Sequence, residues 1–121
     1  MEAAKVQEAT AMIIHTPQGS TRERVSLSQA IIQNIHEQGG PPDMWYCDTT
    51  SDVEEELAYQ KVLRDGAWLW IELPTYEAAT CLKAVLVRLG VYPAPDSLTR
   101  GGRMLYCFRV TPWNCRTIRN V

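Results

Sequence analysis

The side chains best able to do chemistry in this chain are two histidines, four cysteines, four tryptophans and a run of three glutamates. His15 could serve as a general base, with Cys47, Cys81 or Cys107 as its thiolate partner, because a thiol needs a nearby base or cation to ionise at neutral pH. No spacing in the sequence brings such a pair together. Cysteine inside a fold commonly behaves as a small apolar residue. That is the expectation for Cys81, on the flank of a helical stripe, and for Cys107, inside a strand. His36 falls opposite the apolar stripe of its helix and reads as a surface histidine near a helix C-terminus.

Metal and phosphate chemistry find little support. The sequence has no Cys-x-x-Cys, no His-Glu-x-x-His and no calcium-loop pattern, so neither a metal nor a cofactor is expected. Glu54, Glu55 and Glu56 point in different directions around a helix and read as a solvated first turn. Gly39 and Gly40 run into two prolines, and Gly101 and Gly102 precede a strand, so neither pair cradles a phosphate at a helix start. A Gly-x-Ser-x-Gly elbow is missing as well. A thiol-dependent enzyme is the one catalytic reading left, and a non-catalytic chain is preferred to it.

The tryptophans carry more. In residues 67–73, AWLWIEL, the residues Ala67, Leu69, Ile71 and Leu73 point one way and Trp68, Trp70 and Glu72 the other. Residues 103–110, RMLYCFRV, make a second alternating strand. Putting Met104, Tyr106, Phe108 and Val110 inward leaves Arg103 and Arg109 outward, beside the two tryptophans. Such an aromatic and basic face suits a protein partner, whose interfaces favour Trp and Arg anchors. It equally suits single-stranded nucleic acid, where bases stack on indoles and guanidinium groups meet phosphate. Trp68, Trp70, Arg103 and Arg109 are therefore the expected binding residues, with Trp45 and Trp113 as further anchors. The competing expectation is that the tail, with Trp113 and Ile118, or an extra helix folds over this face as a second small core.

These residues need elements to position them. Residues 11–15 (AMIIH) read as a first strand ended by Pro17 and Gly19. Leu27, Ile31 and Ile35 recur every four residues and predict a helix over 26–38, stopped by Gly39, Gly40, Pro41 and Pro42. MWYC (44–47) reads as a strand ending before the polar cluster 48–51. Ser51 and Glu54 have capping-box spacing and start a helix over 53–64, whose poor apolar stripe makes it peripheral. Thr75 caps the surest helix, with Ala78, Leu82, Val85, Leu86 and Leu89 on one stripe.

The fold class expected is α+β: a small sheet of about four strands, two helices packed on one face and an extra peripheral helix. A ferredoxin-like sandwich with an inserted helix is one arrangement of this order. The 121 residues fit a single domain over 1–121. The net charge of −2 is unevenly spread: residues 1–66 hold eleven acids and five bases, residues 67–121 three acids and seven bases. An acidic and a basic half can neutralise each other on folding, or pair head to tail in a homo-oligomer. The first fifteen residues do not read as a signal peptide and no stretch is long enough to span a membrane, so reduced thiols and a cytoplasmic setting are expected. The function expected is a small interaction or regulatory module that binds a protein, with single-stranded nucleic acid as the alternative partner.

Overall fold

A computed structural model describes residues 12–23, 26–93 and 101–115. The chain is α+β, with a mixed open sheet of six strands and, among the described residues, three α-helices. The strands are β1 (Met12–Thr16), β2 (Gly19–Glu23), β3 (Trp45–Thr50), β4 (Trp68–Glu72), β5 (Tyr92–Pro93) and β6 (Met104–Arg109). The helices are α1 (Leu27–Glu37), α2 (Val53–Tyr59) and α3 (Tyr76–Arg88), with a 3-10 turn at Pro42–Met44 before β3. No helix among the described residues is long and apolar enough to cross a membrane.

The sheet order β2-β1-β4-β6-β3-β5 corrects the four-strand expectation and the ferredoxin-like layout. In that layout the last strand lies at an edge beside the first. Here β6 sits between β4 and β3, antiparallel to both. Its residues explain the place: Leu105, Tyr106, Cys107 and Phe108 are all buried, and a strand apolar on both faces needs a neighbour on each side and a cover above and below. Strands β2 and β5 escape a pattern search for opposite reasons. The β2 sequence GSTRE has no apolar alternation, and β5 is a two-residue bridge containing proline. Strand β3 runs through Thr50, past its expected end, because buried Asp48 accepts hydrogen bonds from Thr49 N at 2.8 Å and Lys83 Nζ at 3.1 Å.

One sheet face carries α1 and α3 and the larger core. Ile31 and Ile35 of α1 and Ala79, Leu82 and Leu86 of α3 pack with Ile14, Trp45, Cys47, Leu69, Ile71, Leu105 and Cys107. Thr75 caps α3 as expected, its hydroxyl accepting from Ala78 N at 3.0 Å. The cap of α2 is a correction: Asp52, not Ser51, accepts from Glu55 N at 3.0 Å. That helix ends at Tyr59, well short of residue 64, as Lys61 enters the left-handed region at φ 63°.

The other face carries a smaller core of Tyr46, Val53, Tyr106, Phe108 and Cys115, flanked by Leu57, Val62, Trp68, Trp70, Met104 and Val110. Its cover is α2 and the segment after β6, which Cys115 N ties to Gln60 O at 2.7 Å. Ile118 lies outside the described residues. At the other end of the sheet Gly102 passes so close to β3 that a Cβ on it would stand 2.2 Å from the carbonyl carbon of Thr50.

Candidate interaction surface on the second sheet face

Pairing register decides which side chains share a face. Trp68 lies opposite Phe108, Trp70 opposite Tyr106 and Glu72 opposite Met104. Met104, Tyr106, Phe108 and Val110 therefore join the tryptophans on the second face, which overturns their expected place beneath the long helices. Leu105 and Cys107 take that place instead. Arg103 and Arg109 alternate with them, so the expected aromatic and basic face is not one face. Arg109 is exposed beside the end of α1, where a Cβ on Gly39 would stand 3.0 Å from its Nη1. Arg103 reaches back to form an ion pair with Glu72, both side chains half-exposed.

The remaining anchors separate as well. Trp45 is fully buried in the first core, so no partner can reach its ring. Trp113 is 83% exposed, the most exposed of the large apolar side chains among the described residues. It sits on a turn fixed by Asn114, whose Oδ1 accepts from Thr111 N at 2.9 Å and whose Nδ2 donates to Arg109 O at 3.0 Å. Leu63, after α2, is 72% exposed.

Trp68 and Trp70 are half-buried. The Trp68 indole donates to Arg64 O at 2.9 Å, and Gln38 holds its backbone like a fragment of strand: Nε2 donates to Trp68 O and Oε1 accepts from Trp68 N. Trp70 stacks on His15, which faces it from β1, with ring centroids 4.1 Å apart and planes 14° from parallel. His15 Nδ1 shares a hydrogen bond of 2.9 Å with Ser20 Oγ across the β1–β2 hairpin. Ile13, two residues before His15 on the same face, is exposed. Among the described residues, the second face is thus covered over β3 and β6 and has no helix over β4 and β1, where Ile13, His15 and Trp70 form a ledge in contact with solvent.

Beneath α2 lies a buried polar group that sequence reasoning missed. Glu56 is buried, although Glu54 and Glu55 are exposed as expected of a solvated first turn. Gln60, Asp48 and Tyr106 are buried too, and Gln60 Nε2 reaches Tyr46 Oη at 3.5 Å. The Tyr106 hydroxyl is pushed far above its ordinary pKa, first by burial and then by the nearby Tyr46, Asp48 and Glu56. Gln60 opposes that rise without hydrogen-bonding geometry, and the hydroxyl has no hydrogen-bond partner among the described residues. The only signal in the sequence was the poor stripe of α2, which left its inward positions ambiguous.

Neither Cys47 nor Cys107 offers an activated nucleophile. Burial, partly opposed by Lys83, pushes Cys47 up to about 12, and burial also raises Cys107. Cys81 is exposed on α3, which corrects its expected burial. His36 is exposed on α1 as expected, beside a shallow groove that Ile32, Pro42 and Leu89 line. No group of His, Cys, Asp or Glu among the described residues is arranged to hold a metal ion. Ser20 and His15 resemble a nucleophile and base only in their contact, because no acid among the described residues hydrogen-bonds the second imidazole nitrogen.

Comparison with known protein families, with curated proteins and with solved structures finds nothing that matches this chain.

Proposed function

We propose that this chain is a non-catalytic binding protein that takes a protein partner on the uncovered half of the second sheet face. The observation that carries this reading is the Trp70–His15 stack, half-exposed on a face whose other half already has a cover. A ring held by a strand, a hydrogen bond and a stacked neighbour loses little freedom on binding, which is what makes aromatic side chains effective anchors. Trp113, exposed on a turn that Asn114 fixes, supplies a second anchor.

A protein is favoured over nucleic acid because the arginines expected among the tryptophans are elsewhere. Arg109 belongs to the helix-covered side, and Arg103 is neutralised by Glu72. With those two guanidinium groups displaced from the tryptophans, the phosphate contacts expected of a nucleic-acid face lose their basis. The proposed setting is the cytoplasm, where the exposed Cys81 remains reduced.

A photoreactive amino acid at Ile13 in the full chain, expressed in its own cell type, tests the proposal. Protein adducts that disappear in a W70A background support it, provided that the same probe at Gln33 on α1 does not yield them. Adducts to nucleic acid, or adducts to another copy of this chain, replace the reading with the nucleic-acid or self-association alternative. An absence of adducts refutes it.

A further inference from the structure

The sheet register places two cysteines opposite each other at its centre. Cys47 of β3 pairs with Cys107 of β6, and both side chains enter the first core. Antiparallel pairs alternate between hydrogen-bonded and non-hydrogen-bonded, and the latter bring side chains closer. Val110 N donates to Met44 O at 2.8 Å, so that pair is hydrogen-bonded. Counting along the ladder makes Tyr46 with Phe108 hydrogen-bonded as well, and Cys47 with Cys107 non-hydrogen-bonded. The other edge of β6 agrees, since Arg109 N donates to Ala67 O and Leu73 N to Arg103 O. In such pairs the Cα atoms stand about 4.5 Å apart, inside the window of about 4.4–6.8 Å that a disulfide spans.

We propose that Cys47 and Cys107 are a cross-strand dithiol that a small-molecule disulfide oxidises to an intramolecular bond joining β3 to β6. One cysteine thiolate attacks the oxidant's sulfur–sulfur bond, forming a mixed disulfide and expelling one small thiolate. The second cysteine's thiolate attacks the protein sulfur of that mixed disulfide and expels the other. Two protein thiols give up two electrons and two protons, and the oxidant becomes two thiols. Both sulfurs are sealed from solvent, so the exchange takes place as the chain folds or when the β3–β6 ladder opens. Once closed, the same burial shields the bond from reductant. Cys81, exposed on α3, and Cys115, in the second core, have no part in it.

The test refolds the full, reduced chain in a mixture of oxidised and reduced glutathione, then denatures, alkylates and maps it by mass spectrometry. The expected product is lighter than the reduced chain by about 2 Da before alkylation. It has two of the four cysteines unlabelled and a peptide linking Cys47 to Cys107. C81A keeps the link; C47A and C107A each lose it. Four labelled cysteines in the refolded wild-type chain, or a link through Cys81 or Cys115 in its place, overturns the proposal. The wild-type map decides the matter even where a core variant fails to fold.

Discussion

The two faces of the sheet are built on different terms. On the first, helices of 11 and 13 residues lay aliphatic side chains over apolar strand positions, and Ile31, Ile35, Leu69, Ile71, Leu86 and Leu105 lose all contact with water. On the second, the only helix among the described residues has seven residues, and its core mixes three aromatic rings with a glutamate, a glutamine and an aspartate. A helix about 10 Å across covers roughly two strands spaced about 4.8 Å apart. With α2 and residues 111–115 over β3 and β6, no helix among the described residues lies over β4 and β1 on this face. The difference teaches where to look for function: a face that has enough helix becomes a core, and one that has too little keeps a surface.

Truncating a side chain in each core is the severest trial of this contrast. L86A removes a fully buried leucine from the first core and is expected to cost about 3 kcal/mol, whereas L57A, half-buried in the second, costs about 1 kcal/mol. Urea unfolding of both variants checks this, and equal losses would make the second face as closed as the first. The next effect depends on pH. An unfolded Cys47 loses its proton near its ordinary 9.0, while the folded thiol keeps it to about 12. Between those values the native state binds more protons, so stability falls as pH rises. Urea midpoints taken under reducing conditions should therefore decline above about pH 9, and less steeply for C47A.

Smaller effects belong to the second face. D52A removes the cap of α2 and should cost about 1 kcal/mol in the same assay. It should also raise acrylamide quenching of tryptophan fluorescence as the cover loosens. H15A deletes the stack on Trp70 and should cost only about 0.5 kcal/mol, while weakening the partner adducts formed from position 13. A large stability loss from H15A with adducts unchanged would make the ledge structural and separate it from binding.

The first face was legible because its signals are local. The alternation of Leu69 and Ile71, the four-residue spacing of Ile31 and Ile35, and the Thr75 cap each identify an element without reference to any other. Strand β6 was readable as a strand but not in phase. Both of its alternating sets are apolar over residues 104–108, and the flanking arginines, which suggested the outward side, stand at strand ends where a long side chain is free to reach water. Only pairing with β4, which sets Tyr106 opposite Trp70, resolves it. Trp45 and Glu56 illustrate the same limit: an indole flanked by Met44 and Tyr46 and a carboxylate within three acids give no hint of which neighbour will be packed above them. The alternation of β4 puts Trp70 on the second face, but nothing in the sequence marks His15 as its stacking partner.

The close pass of Gly102 against β3 has a bearing on descent. The backbone there leaves room for a hydrogen and for nothing larger, since any side chain would meet the main chain of Thr50 itself and not a tip that could swing away. Mutation can repaint the ledge, recolour the helices and exchange one aliphatic core for another while this position stays silent. A distant cousin that had kept this sheet would therefore announce itself by a lone glycine entering its final strand, long after the rest of its spelling had drifted beyond comparison.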